Sequence, residues 1–145
     1  MFRHILLPTD GSALSQTAAK TGIRFARSLG AVVTALFVVP DTFRLYDGGD
    51  SPLEFREQLR TRWRDRGEKA LEELRAAAAA EGVSGETLLA TNDQPWRAII
   101  ETATSRGCDL ILMASHGRRG VSALLLGSET QKVLTHSTLP VLVYR

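Results

Sequence analysis

With 145 residues, 43% hydrophobic and 23% charged, the chain has the make-up of one ordinary globular domain, predicted to span residues 1–145. A net charge of +2, with fifteen Arg against three Lys, is too weak a basic bias to argue for nucleic acid, and the single cysteine, Cys108, excludes an intramolecular disulfide. The apolar run at the start is too short for a signal-peptide core or a membrane span, so the expectation is a cytoplasmic protein without a membrane partner.

Short apolar runs alternate with longer amphipathic segments, the pattern of βαβ units and a parallel sheet. The first strand is predicted over Phe2–Leu7, closed by Pro8. Ser12 then caps a helix carrying Leu14, Ala18, Phe25 and Leu29 and ending at Gly30. A second strand covers Ala31–Val39 and stops at Pro40. Residues 41–52 read as a long loop, with Asp47 and Asp50 in its DGGD turn.

A long helix follows from about Leu53 to Glu81, with Leu59, Trp63, Gly67, Ala70, Leu71, Leu74 and Ala78 on one stripe. Gly67 on that stripe predicts close approach to a neighbouring strand. Its stretch EFREQLRTRWRDRGEK is rich in Arg and reads as the solvated face of the helix, with an acidic partner as the rarer alternative. The third strand lies near Glu86–Ala90. Asp93 is expected to cap a helix from Gln94-Pro95 to Gly107, and a nearly continuous apolar strand fills Asp109–Met113. A last helix is predicted over Ser128–His136 and a last strand over Pro140–Tyr144. This is a single α/β domain with an open five-stranded parallel sheet of order 3-2-1-4-5, helices on both faces, and a Rossmann-like plan.

In such a sheet ligands bind beyond the carboxyl ends of the strands, where the strand order reverses. That point lies between strands one and four, so Pro8-Thr9-Asp10-Gly11-Ser12 and Ala114-Ser115-His116-Gly117 are expected to meet at one crevice. The stretch MASHGRRGVSALLLGS suits an anion there. Its glycines permit positive φ and converging N–H groups, and Gly127-Ser128 opens a helix whose first amides favour phosphate. Ser115 and Ser128 offer hydroxyls, and Arg118 or Arg119 screens the charge. No Lys precedes Ser128 as a Walker loop requires, and PTDGSALS lacks the GxGxxG fingerprint.

ILLPTDGS, LFVVP, CDLILMASHGRRGVSALLLGS and PVLVYR together resemble the universal stress protein family over essentially the whole chain. The G-x2-G-x9-G-[ST] motif of its nucleotide-binding members reads here Ala114-Ser-His-Gly117, nine residues, then Gly127-Ser128. Spacing is kept and the first glycine is alanine. An extended Ala114 tolerates its methyl, whereas a positive φ there costs about 1 kcal/mol or more. Asp93-Gln94-Pro95 stands where relatives often have Gly-x-Pro, with consequences for capping only.

The resemblance implies an ATP, ADP or AMP site accompanied by Mg2+ or Mn2+. Asp10 would lie near the nucleoside, backbone near Val38 or Val39 at the adenine, and Met113 along base or ribose. Gly117, Gly127, Ser128 and the amide of Glu129 would hold phosphates. It also implies a homodimer through the last strand. The apolar PVLVY of Pro140–Tyr144 supports that independently, because an uncovered edge strand invites pairing.

No catalytic set stands out. Ser12, His116 and Asp10 lack a GxSxG elbow, His4 and His136 make no metal cluster with His116, and Cys108 reads as a core residue. The functional expectation is therefore a nucleotide-binding sensor or regulator of the stress response, acting on an unknown protein partner and not as an enzyme. The rival readings are a dimeric interaction module without nucleotide and a slow ATPase or autophosphorylating protein.

Overall fold

The computed structural model describes residues 1–41, 52–118 and 125–145. Five strands and four helices alternate: β1 His4–Thr9, α1 Ala13–Leu29, β2 Val32–Val39, α2 Leu53–Ala80, β3 Gly85–Thr91, α3 Pro95–Ser105, β4 Leu110–Ala114, α4 Ser128–His136 and β5 Val141–Tyr144. All pairings are parallel and the order is β3-β2-β1-β4-β5, as the alternation predicts.

Helices cover both faces. Ile5, Leu7, Phe37, Leu110 and Leu112 pack with Ala18, Ile23, Leu71 and Leu74 under α1 and α2. Leu6, Leu36, Ile111 and Met113 pack with Ile99, Ala103 and Val133 under α3 and α4. Central strands buried on two faces explain why their sequences are continuously apolar.

Where the structure departs from the sequence reading, the cause is local. β1 runs through Pro8 to Thr9 instead of stopping at Leu7. His4 O accepts from Asp109 N on the β4 side, so by alternation Pro8 also faces β4. The β1–β4 ladder ends at Leu6↔Ile111, while β1–β2 continues to Thr9↔Phe37. The missing proline N–H thus falls where no partner strand waits.

The buried face of α1 is Ser15, Ala18, Ala19, Gly22, Ile23 and Ala26, with Leu29 exposed. Small residues prevail there because α1 sits close to the sheet: a Cβ on Gly22 would collide with Leu7 Cδ2. Gly67 of α2 is buried as its stripe predicts, and a Cβ there would come within 2.5 Å of Leu89 Cδ1 and 2.7 Å of Phe37 Cδ1. Asp93 does not cap α3. Gln94 stands at the N-cap without a side-chain bond, and Asn92 Oδ1 accepts from Gln94 N at 2.9 Å.

Candidate functional site

β1 and β4 stop pairing at Leu6 and Ile111, so the segments that follow them flank the crevice expected where the strand order reverses. One wall is the β1–α1 turn. Gly11 takes φ +78°, a left-handed conformation that the turn requires, and Ser12 caps α1 by accepting from Ser15 N at 3.3 Å. Thr9 is buried, donating to Gln16 Oε1 at 2.7 Å and accepting from Gly11 N at 3.1 Å. Its hydroxyl fixes the turn.

Asp10 is the centre of this wall. Oδ1 accepts from Ser12 N at 2.9 Å and from Ser15 Oγ at 2.8 Å. Oδ2 reaches across the crevice to accept from Arg118 N at 2.7 Å. Burial raises the Asp10 pKa, but the bonds from Ser12, Ser15 and the Arg118 amide outweigh it and hold the carboxyl below its ordinary value. The residue is both an Asx turn and a bridge between the two halves of the fold.

The opposite wall continues β4. Ala114 is buried and lies inside the strand, paired with Tyr144, so its methyl imposes no left-handed strain. Met113 points to the α3–α4 side, among the residues packed with Ile99 and Val133. Ser115 N donates to Tyr144 O at 2.7 Å, and Ser115 Oγ lies 3.1 Å from His116 Nδ1. No hydrogen bond joins Asp10 to His116 among the described residues, so no Ser-His-Asp relay forms.

The glycines act by size. Neither Gly117 nor Gly127 has positive φ, in contrast to the sequence expectation; Gly127 is extended at φ −62°, ψ 153°. A Cβ on Gly117 would collide with Asp10 Oδ2, and one on Gly127 would come within 3.1 Å of His116 Cα and 3.3 Å of Ser115 O. The Gly127 N–H itself is spent on Ser115 O at 2.7 Å, which closes the two flanks of the loop on each other.

The next amides along the chain are those that open α4. α4 starts at Ser128 without a side-chain cap, so its first N–H groups have no intrahelical acceptor. Glu129 turns its carboxylate away, accepting from Trp96 N at 2.8 Å and pairing with Lys132 at 3.5 Å. That removes a negative charge from the helix mouth and ties α4 to α3.

Val38 and Val39 outrun β1 by two residues, leaving their β1-side edge beyond the ladder. Val39 O accepts from Asn92 N at 3.0 Å. Sequence reasoning found these residues but not the Asp10–Arg118 bond, which joins positions 108 apart with no local signal. It also missed Ser15 and Gln16, buried polar residues on a face read as apolar.

Arg119, Gly120, Asp47 and Asp50 lie outside the described residues. Cys108 is buried and its thiol pushed up by burial to about 11, which keeps it an inert core group. His136 lies against Trp96 with ring centroids 4.7 Å apart, and among the described residues no three acidic, His or Cys side chains could hold an ion. No helix among the described residues is long and apolar enough to cross a membrane.

Fold and crevice define an open parallel α/β protein with an uncapped helix end at its switch point. The chain belongs to the Universal stress protein family, whose pattern matches residues 1–145. It is 34% identical to Universal stress protein YxiE of Bacillus subtilis over 100% of both chains. The solved structure of MJ0577, from Methanocaldococcus jannaschii, superposes with a TM-score of 0.82 at 27% identity, covering 99% of this chain and 95% of that one. The same fold recurs in a universal stress protein in complex with cAMP, at TM-score 0.69, 20% identity and 99% and 97% coverage. It recurs too in one from Archaeoglobus fulgidus in complex with dAMP, at 0.64, 17% and 100% and 98%.

Proposed function

We propose that the β1–β4 crevice binds an adenine nucleotide and that the bound state serves as a signal in the stress response. The observation that carries this reading is the open start of α4, set beside glycines on which a Cβ would press against Asp10 Oδ2 and His116 Cα. Phosphate would be held by the amides of Ser128, Glu129 and Thr130 and by the Ser128 hydroxyl. The nucleoside would lie over Ala114 between Asp10 and the free edge of Val38–Val39. The relatives solved with cAMP and dAMP support an adenine ligand.

A divalent ion fits only as the nucleotide's companion. Asp10 already accepts three hydrogen bonds, and no acidic cage exists among the described residues. Mg2+ or Mn2+ would be held by the phosphates and add charge neutralisation there. Among the described residues His116 is engaged with Ser115 Oγ and Asp10 with three donors, which supports a binding protein over an enzyme.

We assign the β5 edge, Val141–Tyr144 with Leu142 39% exposed, to pairing with a second copy. The regulatory partner would read the dimer with its crevices filled. Calorimetric titration of nucleotide-stripped protein with ATP, with and without Mg2+, tests the reading. Micromolar binding lost in Gly127→Val is the expected result. No heat at millimolar ATP leaves the dimeric interaction module as the better account, and turnover that falls on substitution of Asp10, His116 or Ser128 favours the ATPase.

A further inference from the structure

α1 buries two polar residues, Ser15 and Gln16, at 4% and 9% exposure. With the buried Thr9 they form a run of hydrogen bonds behind the Asp10 wall of the crevice, and Gln16 sets its direction. The Gln16 Nε2 donates to Ala70 O at 3.2 Å and to Glu73 Oε2 at 3.1 Å, both on α2. A flipped amide would set its oxygen against two acceptors, so Oε1 is the atom that faces β1.

The remaining bonds follow one proton at a time. Thr9 gives its only hydroxyl proton to Gln16 Oε1 at 2.7 Å, while its lone pairs take Gly11 N at 3.1 Å and face Ser15 Oγ at 2.9 Å. Ser15 has a single proton and three acceptors in reach: Asp10 Oδ1 at 2.8 Å, Thr9 Oγ1 at 2.9 Å and Ser12 O at 3.1 Å. The carboxylate takes it, as the charged acceptor. Ser12 Oγ in turn donates to Ser15 Oγ at 3.0 Å. The hydroxyl protons of this wall are thus committed in order, and the order starts at α2. The run reaches the surface at Glu73, which also lies 3.9 Å from Lys20.

We infer that Gln16 is a positioning residue for the Asp10 wall and couples that wall to α2. The inference rests on the reading of the crevice as a nucleotide site. Without Gln16 Oε1, the Thr9 proton turns to Ser15 Oγ and displaces the Ser12 hydroxyl from it, so the donors around Asp10 rearrange. Conversely, a ligand that donates to Asp10 frees the Ser15 proton for Thr9, one bond from Gln16. Buried runs of this kind polarise as a unit, and such coupling acts in both directions. A second tie between α1 and the end of α2, Arg27 to Glu81 at 2.7 Å, lies outside the run and serves as the control.

Two backbone amides report on Asp10 without any ligand: Arg118 N donates to Oδ2 at 2.7 Å and Ser12 N to Oδ1 at 2.9 Å. In amide-resolved NMR of the full chain, Gln16→Met, close in size, should shift both signals, and calorimetry should show ATP binding weakened about tenfold. Glu73→Ala removes one Gln16 acceptor at the exposed end and should shift both signals by less; it carries the test if Gln16→Met fails to fold. Arg27→Gln should leave both signals in place. Signals that stay put in Gln16→Met, or that move as far in Arg27→Gln, overturn the inference, and so does an ATP affinity unchanged by Gln16→Met. If the unsubstituted protein binds no ATP, the nucleotide reading falls, and the two amides still decide the positioning role.

Discussion

Two aspartates tie β1 to the β4 side of the fold, one at each end of the strand. At the amino end Asp109 accepts from Arg3 N at 2.9 Å and His4 N at 3.0 Å, just where β1 and β4 are paired. At the carboxyl end Asp10 accepts from Ser12 N, Ser15 Oγ and Arg118 N where that pairing has stopped. Burial raises both carboxyl pKa values, but hydrogen bonds outweigh it and hold them below the ordinary value, from Ser12, Ser15 and the Arg118 amide at Asp10 and from backbone amides at Asp109. The chemistry is the same and the consequence differs. Asp109 reinforces a ladder that exists without it, and Asp10 replaces one that is missing.

The largest effect should come from removing that replacement. Asp10→Ala strands the Ser12 and Arg118 amides and takes one partner from the buried Ser15 hydroxyl, at a cost of about 3 kcal/mol, while Asp109→Ala costs about 1 kcal/mol because its donors lie near solvent. Urea denaturation of both variants measures the difference, and equal losses would contradict the comparison. Gly117→Ala comes next. Its Cβ meets Asp10 Oδ2, and displacing a pinned carboxylate should cost about 2 kcal/mol and weaken ATP binding in a titration.

Acid acts on both ends together. For a carboxyl whose folded pKa is depressed, the stabilisation is fully present above the unfolded value, ordinarily 3.8, and is lost as pH falls through the folded pKa. Melting temperatures should therefore be insensitive to these two groups from neutrality down to about pH 5 and fall steeply below the ordinary value. Asp10→Asn should remove part of that slope. The smallest effect belongs to Ala114→Gly: with the residue already extended in β4, restoring glycine should cost about 0.5–1 kcal/mol in stability and leave ATP affinity nearly unchanged in calorimetry.

Much of this was legible in the residues. Alternating apolar runs carried the element order, and the reversal at β1 and β4 located the crevice before any contact was known. α4 begins and ends where Gly127-Ser128 and His136 place it. What escaped was long-range. Pro8 reads as a strand stop, but its tolerance depends on which neighbour it faces. Gly117 and Gly127 read as turn formers, but their size matters because Asp10 and the Ser115–His116 backbone press against them. Arg118 reads as a phosphate screen, whereas its side chain lies on Trp63, 55 positions earlier in the chain. None of these facts has a local spacing to betray it.

The most direct test is an amide-resolved NMR titration of the labelled protein with Mg-ATP. The account predicts the largest shifts at Asp10, Gly117 and the first amides of α4, Ser128 to Thr130, with saturation at micromolar to submillimolar nucleotide. Shifts absent from those amides at millimolar ATP would contradict it, whatever moves elsewhere on the surface.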